Sequence, residues 1–343
     1  MNLMIKMILR KLPLKSIYKL GEKVIMHKTF KKYGQIVVVI IIVFLAKYFV
    51  SLSFLNEVII LSIFVMSCNF LLGHGGLLSF GQPLYLGVGA YATACYLFYF
   101  GQNPLIGIII GLIAGVIFAL GVGAVIIKLR SDYFALVNAA LNMIGFFLAY
   151  DTFAKFTNGL DGMWFLTRIN PLFGIDVTIE KNFFIFAVLI LLIVLLLTKH
   201  IMNSMFGTIC LAAKTDEKKL RFLGYNIFKI KLLVFIYSSL LAALAGSLYA
   251  IHFGFVCPSM MEQEKAGEIV ATVILGGVGT LFGPLIGSIV IIAAKDLTSN
   301  IIQHWEVIVG ALLVILVLTA DKGMIGLANG VISKYKINLR NIE

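Results

Sequence analysis

The most informative part of the sequence is LLGHGGLLSFGQPLYLGVGAY, residues 71–91, which places a polar, glycine-rich interruption between two apolar runs. Each run is long enough to belong to a membrane-spanning helix. Irregular backbone at membrane depth has no water to bind its amide and carbonyl groups, so it persists only where protein or a solvated cavity satisfies them. A simple anchor has no use for such an interruption. The stretch therefore indicates part of a transport pathway.

The composition of the chain is typical of a polytopic membrane protein. Of its 343 residues 61% are hydrophobic and 13% are charged, whereas roughly a quarter are charged in an average soluble domain. We predict an all-α transmembrane helical bundle of about ten spans, in which the eighth and ninth are short and broken by glycine-rich segments. The predicted spans lie near residues 36–55, 57–73, 84–100, 104–127, 133–151, 183–198, 228–252, 268–280, 284–299 and 305–320.

The distribution of basic residues predicts the orientation. If the N-terminus is cytoplasmic, four segments face the cytoplasm and together hold 22 of the 28 Lys and Arg residues: 1–33, 128–132, 199–231 and the tail from Asp321. This agrees with the positive-inside rule. We therefore expect a multi-pass protein of the cell (inner or plasma) membrane with both termini cytoplasmic. The net charge of +12 then reflects membrane topology and lipid contact rather than nucleic-acid binding.

This topology divides the chain into three parts. Residues 1–33 form a basic cytoplasmic segment, which we expect to remain uncleaved, either as an interfacial helix on anionic lipid or as a solvated tail. Residues 34–320 form the transmembrane domain, with an external loop at 152–182 and a cytoplasmic loop at 199–227. Residues 321–343 form a cytoplasmic tail. The external loop is either a folded surface feature or a mobile connector.

A second interruption shares a pattern with the first. In residues 78–87 and again in 281–287, Phe-Gly is followed by Pro-Leu and then by Gly. Paired interruptions point to the translocation site of transporters built from repeats, although two short stretches of so biased a composition can also match by chance. The predicted helix-breaking residues are Gly75, Gly76, Gly81, Pro83, Gly276, Gly277, Gly279, Gly283 and Pro284.

In the cytoplasmic loop 199–227, Met205, Ile209 and Ala212 recur at helical spacing, and this pattern predicts short amphipathic helices. Such helices can dock into a groove on a soluble partner or lie on the membrane surface. No Gly-x-x-x-x-Gly-Lys-[Ser/Thr] motif occurs in the sequence, and the mid-span positions carry few ionisable residues of the kind that gradient coupling needs. We therefore expect a separate ATPase partner.

Six sequence runs, in the same order, are similar to those of the membrane permeases of branched-chain amino acid ABC importers, LivM type. The resemblance extends from about residue 55 to 320. The matching runs are GLLSFGQ at 76–82 with GVGAY at 87–91, LRSDYFALV at 129–137, TNGLDG at 157–162, Asp216-Glu217 with Leu223-Gly224, AALAGSLYA at 242–250, and LGGVGTLFGP at 275–284.

The resemblance implies the partners of the chain. Two permease chains form the pore, two cytoplasmic ABC ATPase subunits bind loops of the permeases, and an external solute-binding protein delivers the solute. In this chain the residues implied to contact the ATPase are Ala213, Asp216, Glu217, Leu223 and Gly224. We call residues 199–227 the coupling loop from here on. The chain departs from the family after Val137, where Asn138 to Met143 replace a Thr, a Gly-rich pair and an acidic residue, so the solute remains open.

Polar residues within spans are the candidates for pathway contacts, because buried amides and hydroxyls need partners. His74 and Gln82 flank the first interruption. For the whole set, hydrogen bonding between helices is the alternative explanation, and we assign no catalytic, metal or cofactor role to any of them. The candidates are Asn69, His74, Ser79, Gln82, Asn138 and Asn142, together with Ser238, Ser239 and Thr272.

The sequence therefore predicts a non-enzymatic permease subunit of an ATP-driven importer for branched-chain or related hydrophobic amino acids. A urea, amide or nucleoside importer of the same architecture is an alternative, and so is a gradient-driven carrier or channel acting alone. An intramembrane enzyme is disfavoured, because the sequence offers no paired acids, metal-ligand cluster or nucleophile with a base at membrane depth.

Overall fold

The computed structural model describes residues 39–171 and 176–299, together with the isolated positions 34, 36, 310 and 324. The chain divides into two compact units, Met1–Phe49 and Val50–Glu343. In the first unit, residues 39–46 are helical. The Lys47 ammonium there lies 4.0 Å from the centre of the Phe44 ring.

The second unit contains the helices that position the candidate site. In chain order they are α1 Leu52–Gly73, α2 Gln82–Cys95, α3 Pro104–Ile126, α4 Ser131–Phe147, α5 Glu180–Met202, α6 Met205–Thr215, α7 Glu217–Phe222, α8 Ile227–Phe253, α9 Gln263–Gly276 and α10 Gly283–Ser299. π-Helical turns at Tyr96–Phe100 and Leu148–Thr152 extend α2 and α4. Shorter elements are a helical turn at Ala154–Thr157, 3-10 turns at Gly159–Asp161, Leu166–Arg168 and Pro258–Met261, and strands β1 Met163–Trp164 and β2 Phe255–Val256.

Among the described residues, five helices are long and apolar enough to cross a membrane: α1, α3, α4 with its π-helical turn, α5 and α8. The predicted ten spans are therefore matched only in part. In the predicted first span, 36–55, the chain leaves the helix after residue 46 and begins α1 at Leu52. The predicted tenth span, 305–320, lies outside the described residues. The predicted eighth and ninth spans correspond to the short helices α9 and α10.

Two predicted span boundaries differ from the structure at polar residues. We predicted the second span from residue 57, but α1 already includes Asn56, which is fully buried and donates from Nδ2 to the carbonyl of Glu180 at 3.3 Å. The predicted eighth span began at residue 268, whereas α9 begins at Gln263. Polar residues within a helix are tolerated where a neighbouring element supplies a hydrogen bond.

Helix α8 lies at the centre of the second unit and packs against α1, α2 and α3. Small residues allow this close packing. A Cβ added at Gly115 of α3 would meet Ala243 of α8, and a Cβ at Gly111 would meet the Ser247 hydroxyl. Glycine stripes of this kind let membrane helices approach closely.

The second unit has two distinct ends. At one end, α6 and α7 precede the start of α8, and the Lys128 ammonium after α3 lies 5.8 Å from the centre of the Phe228 ring. At the other end β1 pairs antiparallel with β2, with Met163 opposite Val256, and the Asn170 amide donates to the Gln102 carbonyl at 2.9 Å. The basic segments 128–132 and 199–231 thus share one end, and the predicted external loop is folded against the other.

Candidate functional site

Two interruptions of the helical backbone lie at the end that carries the coupling loop. The first break, residues 74–81, separates α1 from α2, and the second break, residues 277–282, separates α9 from α10. Gly76, Gly277 and Gly279 have φ of 65°, 114° and 75°. These conformations are open to glycine and costly for residues with a Cβ, which explains the glycine-rich sequence of both breaks.

Asn69 in the last turns of α1 connects this helix, which leads into the first break, to the second break. Its Oδ1 accepts a hydrogen bond from the Gly279 amide at 2.7 Å, and its Nδ2 donates to the Thr280 carbonyl at 2.8 Å. The backbones also touch here, since a Cβ added at Gly73 would lie 2.5 Å from the Gly279 Cα. One buried amide side chain therefore satisfies irregular backbone that lacks regular helical partners.

The shared Phe-Gly and Pro-Leu pattern marks the start of the helix that follows each break. Pro83 lies in the first turn of α2, and Pro284 is the second residue of α10. Proline is well suited to a first turn, where its missing amide hydrogen has no intrahelical acceptor. Beside the first of these starts, a Cβ added at Gly81 would lie 2.8 Å from the Asn138 carbonyl oxygen.

The coupling loop makes direct contact with the first break. The Lys214 ammonium near the end of α6 donates to the Gly73 carbonyl at 3.0 Å. A Cβ added at Gly76 would lie 2.9 Å from the Lys214 Cγ, so the lysine stem lies against the break as well. Sequence reasoning placed Lys214 within the loop but did not single it out.

Side-chain caps define the two helices of the coupling loop. The Ser204 hydroxyl accepts from the Gly207 amide ahead of α6, and the Asp216 carboxylate accepts from the Lys218 and Lys219 amides ahead of α7. These hydrogen bonds, chiefly that from the Lys219 amide, lower the pKa of Asp216 below its usual value of 3.8. The prediction of short helices in this loop is confirmed.

The predicted ATPase-contact residues divide into packed and exposed groups. Ala213 is buried, while Leu223 is 73% exposed beside Phe222 at 91%. Glu217 forms an ion pair with Lys231 of α8, at 2.6 Å between Oε1 and Nζ. Gly224 has a φ of 85° that permits the turn into α8. The exposed apolar pair therefore projects from a loop that is fixed to the helical core.

Two predicted pathway residues, Gln82 and Ser238, form a buried polar cluster with Ser67 between α1, α2 and α8. Gln82 donates from Nε2 to the Ser238 hydroxyl at 3.0 Å, and its Oε1 accepts from the Ser67 hydroxyl at 3.3 Å. The Ser238 hydroxyl donates to the Ser67 carbonyl at 2.7 Å. The amide of Gln82 thus links the start of α2 to both neighbouring helices, as expected for hydrogen bonding between helices.

The other predicted pathway residues are also buried, and most hold local or interhelical hydrogen bonds. Asn142 donates to the Met261 carbonyl at 2.8 Å, and Asn138 donates to the Phe134 carbonyl at 3.0 Å. The Ser79 hydroxyl accepts from the Gly81 amide, the Thr272 hydroxyl donates to the Glu268 carbonyl, and His74 stacks on Phe70. Within the described residues, His74 Nδ1, Asn138 Oδ1, Asn142 Oδ1 and Ser239 Oγ have no hydrogen-bond partner.

Sequence reasoning missed a charged cavity at the opposite end. Glu57 of α1, Lys265 and Glu268 of α9, and Lys295 of α10 line a cavity of about 340 Å³. Lys265 and Glu268 are spaced i, i+3, which places them on one helix face. That spacing was the available signal, but the predicted eighth span began at residue 268 and left Lys265 in the preceding loop.

These features define a helical membrane protein that is built around two broken segments and a helical loop in contact with one of them. Residues 50–318 match the family described as the permease component of branched-chain amino acid transport systems. The match covers most of the chain, and the chain belongs to this family.

Similar proteins include the high-affinity branched-chain amino acid transport system permease protein LivM of Salmonella typhimurium and that of Escherichia coli. Each is 26% identical over 288 residues, covering 76% of this chain and 66% of the relative. The chain thus spans slightly less than two thirds of these relatives. The Escherichia coli permease protein LivH is 31% identical over 137 residues, covering 39% of this chain and 44% of LivH. No solved structure matches the chain.

Proposed function

We propose that this chain is the transmembrane permease subunit of an ATP-driven importer for branched-chain or related hydrophobic amino acids. It forms the translocation pathway with a second permease chain. The observation that carries the proposal is the hydrogen bond from Lys214 to Gly73, because it joins the coupling loop to the backbone break. The family match, and the substrate class in the printed names of the relatives, support the solute class.

ATP hydrolysis in this proposal occurs in partner subunits. The sequence contains no Gly-x-x-x-x-Gly-Lys-[Ser/Thr] motif, and in this proposal a nucleotide-binding companion supplies the energy. Phe222 and Leu223 are large apolar side chains exposed on a capped helical loop, and such an arrangement suits insertion into a groove of a soluble subunit. We infer that two cytoplasmic ATPase subunits bind the coupling loops of the two permease chains.

The proposed switch between outward and inward states operates at the two breaks. A movement of α6 displaces the end of α1 through the hydrogen bond from Lys214 to Gly73. The hydrogen bond between Asn69 and Gly279 then displaces the second break. Interfaces that have two discrete arrangements convert small shifts of this kind into gating. Asn138, Asn142 and His74 carry buried polar atoms without partners in the described part of the chain, and these atoms are available to a solute when the gate opens.

The folded end of the molecule opposite the coupling loop is proposed to face outward and to receive the solute-binding protein. The positive-inside distribution supports this orientation, since the coupling-loop end carries segments 128–132 and 199–231, which hold nine Lys and Arg residues. The folded strand pair β1–β2 supplies an ordered surface there. A disordered connector would supply none.

Reconstitution of the chain with its second permease, its ATPase subunits and its solute-binding protein in proteoliposomes tests the function. We expect accumulation of radiolabelled L-leucine that requires both ATP and the ATPase subunits, with little uptake of urea or uridine. Accumulation without the ATPase subunits would identify a gradient-driven carrier instead. ATP-driven uptake of urea or uridine with no uptake of leucine would assign the chain to the alternative importer class.

A further inference from the structure

A cavity lined by charged side chains of both signs lies at the end of the molecule opposite the coupling loop. Its volume is about 340 Å³, and α1, α8, α9 and α10 contribute most of its wall. Along α1, Glu57 of this cavity and Gly73 of the first break are separated by about 24 Å, at a rise of about 1.5 Å per residue. The cavity is therefore distinct from the two breaks.

Two carboxylates and two ammonium groups line this cavity, and the carboxylate of Asp296, the neighbour of Lys295, acts on Glu57 from outside the lining. Lys265 Nζ lies 2.9 Å from Glu268 Oε2, and the side chains are 43% and 15% exposed. Glu57 interacts electrostatically with Lys295 across the wall between α1 and α10. Each sign of charge is thus presented from two different helices.

The remainder of the lining is mostly apolar. Small-molecule sites are typically pockets of roughly 300–1,000 Å³ with apolar walls and a few placed polar groups, and this cavity has that volume and composition. The aliphatic lining residues are Ile60, Leu61, Leu86, Ile269 and Ile292.

We propose that this cavity binds a zwitterionic amino acid with an apolar side chain. The ammonium groups of Lys265 and Lys295 bind the solute carboxylate, the carboxylates of Glu57 and Glu268 bind its ammonium group, and the aliphatic wall takes the side chain. This inference rests on the proposed function and adds the place at which the solute is held on the outer side.

The presence of both signs of charge in the lining favours a zwitterion over other solutes of similar size. A zwitterion adds one charge of each sign, so both of its charges find partners without leaving a lining group unpaired. A simple anion or cation pairs with only one sign of the lining charges, and separating an ion pair without replacing both partners is costly in a partly desolvated site. A neutral solute such as urea forms hydrogen bonds with these groups but brings no charge to pair with them.

The first test measures equilibrium binding of radiolabelled L-leucine to the purified full-length chain in nanodiscs without ATP. Leucinamide lacks the carboxylate and 4-methylpentanoate lacks the ammonium group. We expect each of these to compete at least about tenfold more weakly than unlabelled leucine. Equal competition by either compound, or no leucine binding at all, would overturn the proposal.

The second test measures the same binding to variants of the cavity. Glu268→Gln and Lys295→Met should each weaken leucine binding at least about tenfold, while the exposed controls Glu264→Gln and Lys181→Met should bind like the unsubstituted chain. Size-exclusion profiles verify that each variant is folded, and the competition test stands without variants. Cavity variants that bind leucine as well as the controls do would contradict the proposal.

These tests separate the cavity from the proposed function, because binding is measured without ATP or partner subunits. If ATP-driven leucine uptake is intact and the cavity variants neither bind nor transport differently from the controls, the cavity assignment fails and the importer stands. If leucine binding depends on the cavity but uptake needs no ATPase, the importer fails and the cavity assignment stands.

Discussion

The ammonium group of Lys214 donates a hydrogen bond of 3.0 Å to the backbone carbonyl of Gly73. Gly73 is the last residue of α1, so its carbonyl lies at a helix C-terminus, where carbonyls lack intrahelical donors and a cation is favourable. The contact spans 141 positions of sequence. It connects the coupling loop to the end of α1, where the first break begins.

Gly73→Ala should destabilise the protein. A Cβ at this position would lie 2.5 Å from the Gly279 Cα and 2.8 Å from its amide nitrogen, and backbone cannot move aside as a flexible side chain can. Overpacking of this kind costs about 1–3 kcal/mol. Thermal unfolding in nanodiscs measures the effect, and Gly121→Ala is the matched control because nothing lies within 4 Å of its added Cβ. Equal melting temperatures for the two variants would refute the close approach of the breaks.

Asn69→Ala should weaken the contact between α1 and the second break without introducing a steric clash. It removes the acceptor for the Gly279 amide and the donor to the Thr280 carbonyl. Interhelical hydrogen bonds in membranes contribute about 0.6 kcal/mol on average and up to about 1.7 kcal/mol, so we expect a loss of about 1–2 kcal/mol. Thermal unfolding again provides the measurement, with exposed Asn170→Ala as the control. A loss no greater than that of the control would show that Asn69 does not hold the breaks together.

Leu223→Asp should weaken binding of the ATPase subunits. Leu223 is 73% exposed on the coupling loop, and a carboxylate there would have to be desolvated in an apolar groove. We expect at least about a tenfold loss of copurified ATPase, equivalent to about 1.4 kcal/mol. Leu160→Asp is the matched control, because Leu160 is 61% exposed at the other end of the molecule. If both variants retain the ATPase equally, the exposed apolar pair is not the docking surface.

The sequence predicted local features better than contacts between distant segments. Glycines and prolines marked both breaks, because their backbone preferences are local. The hydrogen bond that Gly279 donates to Asn69 joins residues 210 positions apart, and no periodicity in the sequence indicates such a pair. The predicted second span began after Asn56, a polar residue whose Nδ2 donates to the Glu180 carbonyl of another helix. The charged cavity was missed for the same reason, since its four charges come from three helices.

The stability of α7 should depend on pH through Asp216. Hydrogen bonds from the Lys218 and Lys219 amides to its carboxylate lower its pKa below 3.8. A lowered folded-state pKa means that the stabilisation is present above the unfolded-state pKa and is lost as pH falls through the folded-state value. Amide hydrogen exchange of α7, corrected for intrinsic rates, should therefore accelerate as the pH falls below about 4.

Asp216→Asn supplies the control for this pH dependence. Asparagine keeps a cap acceptor without a titrating group, so exchange in α7 of this variant should accelerate less than in the unsubstituted chain over the same pH range. The ion pair of Glu217 with Lys231 is common to both proteins. The same acceleration in both proteins would show that another group controls α7.

The ratio of leucine uptake to ATP hydrolysis in the fully assembled transporter tests the central claim most directly. Lys214→Met removes the hydrogen bond to the Gly73 carbonyl while keeping a stem beside Gly76, and Lys218→Met is an exposed lysine control in the same loop. We predict that Lys214→Met retains ATP hydrolysis but loses uptake at least about tenfold relative to Lys218→Met, and that Lys214→Arg restores much of it. An unchanged ratio in Lys214→Met would contradict transmission from the coupling loop to the first break.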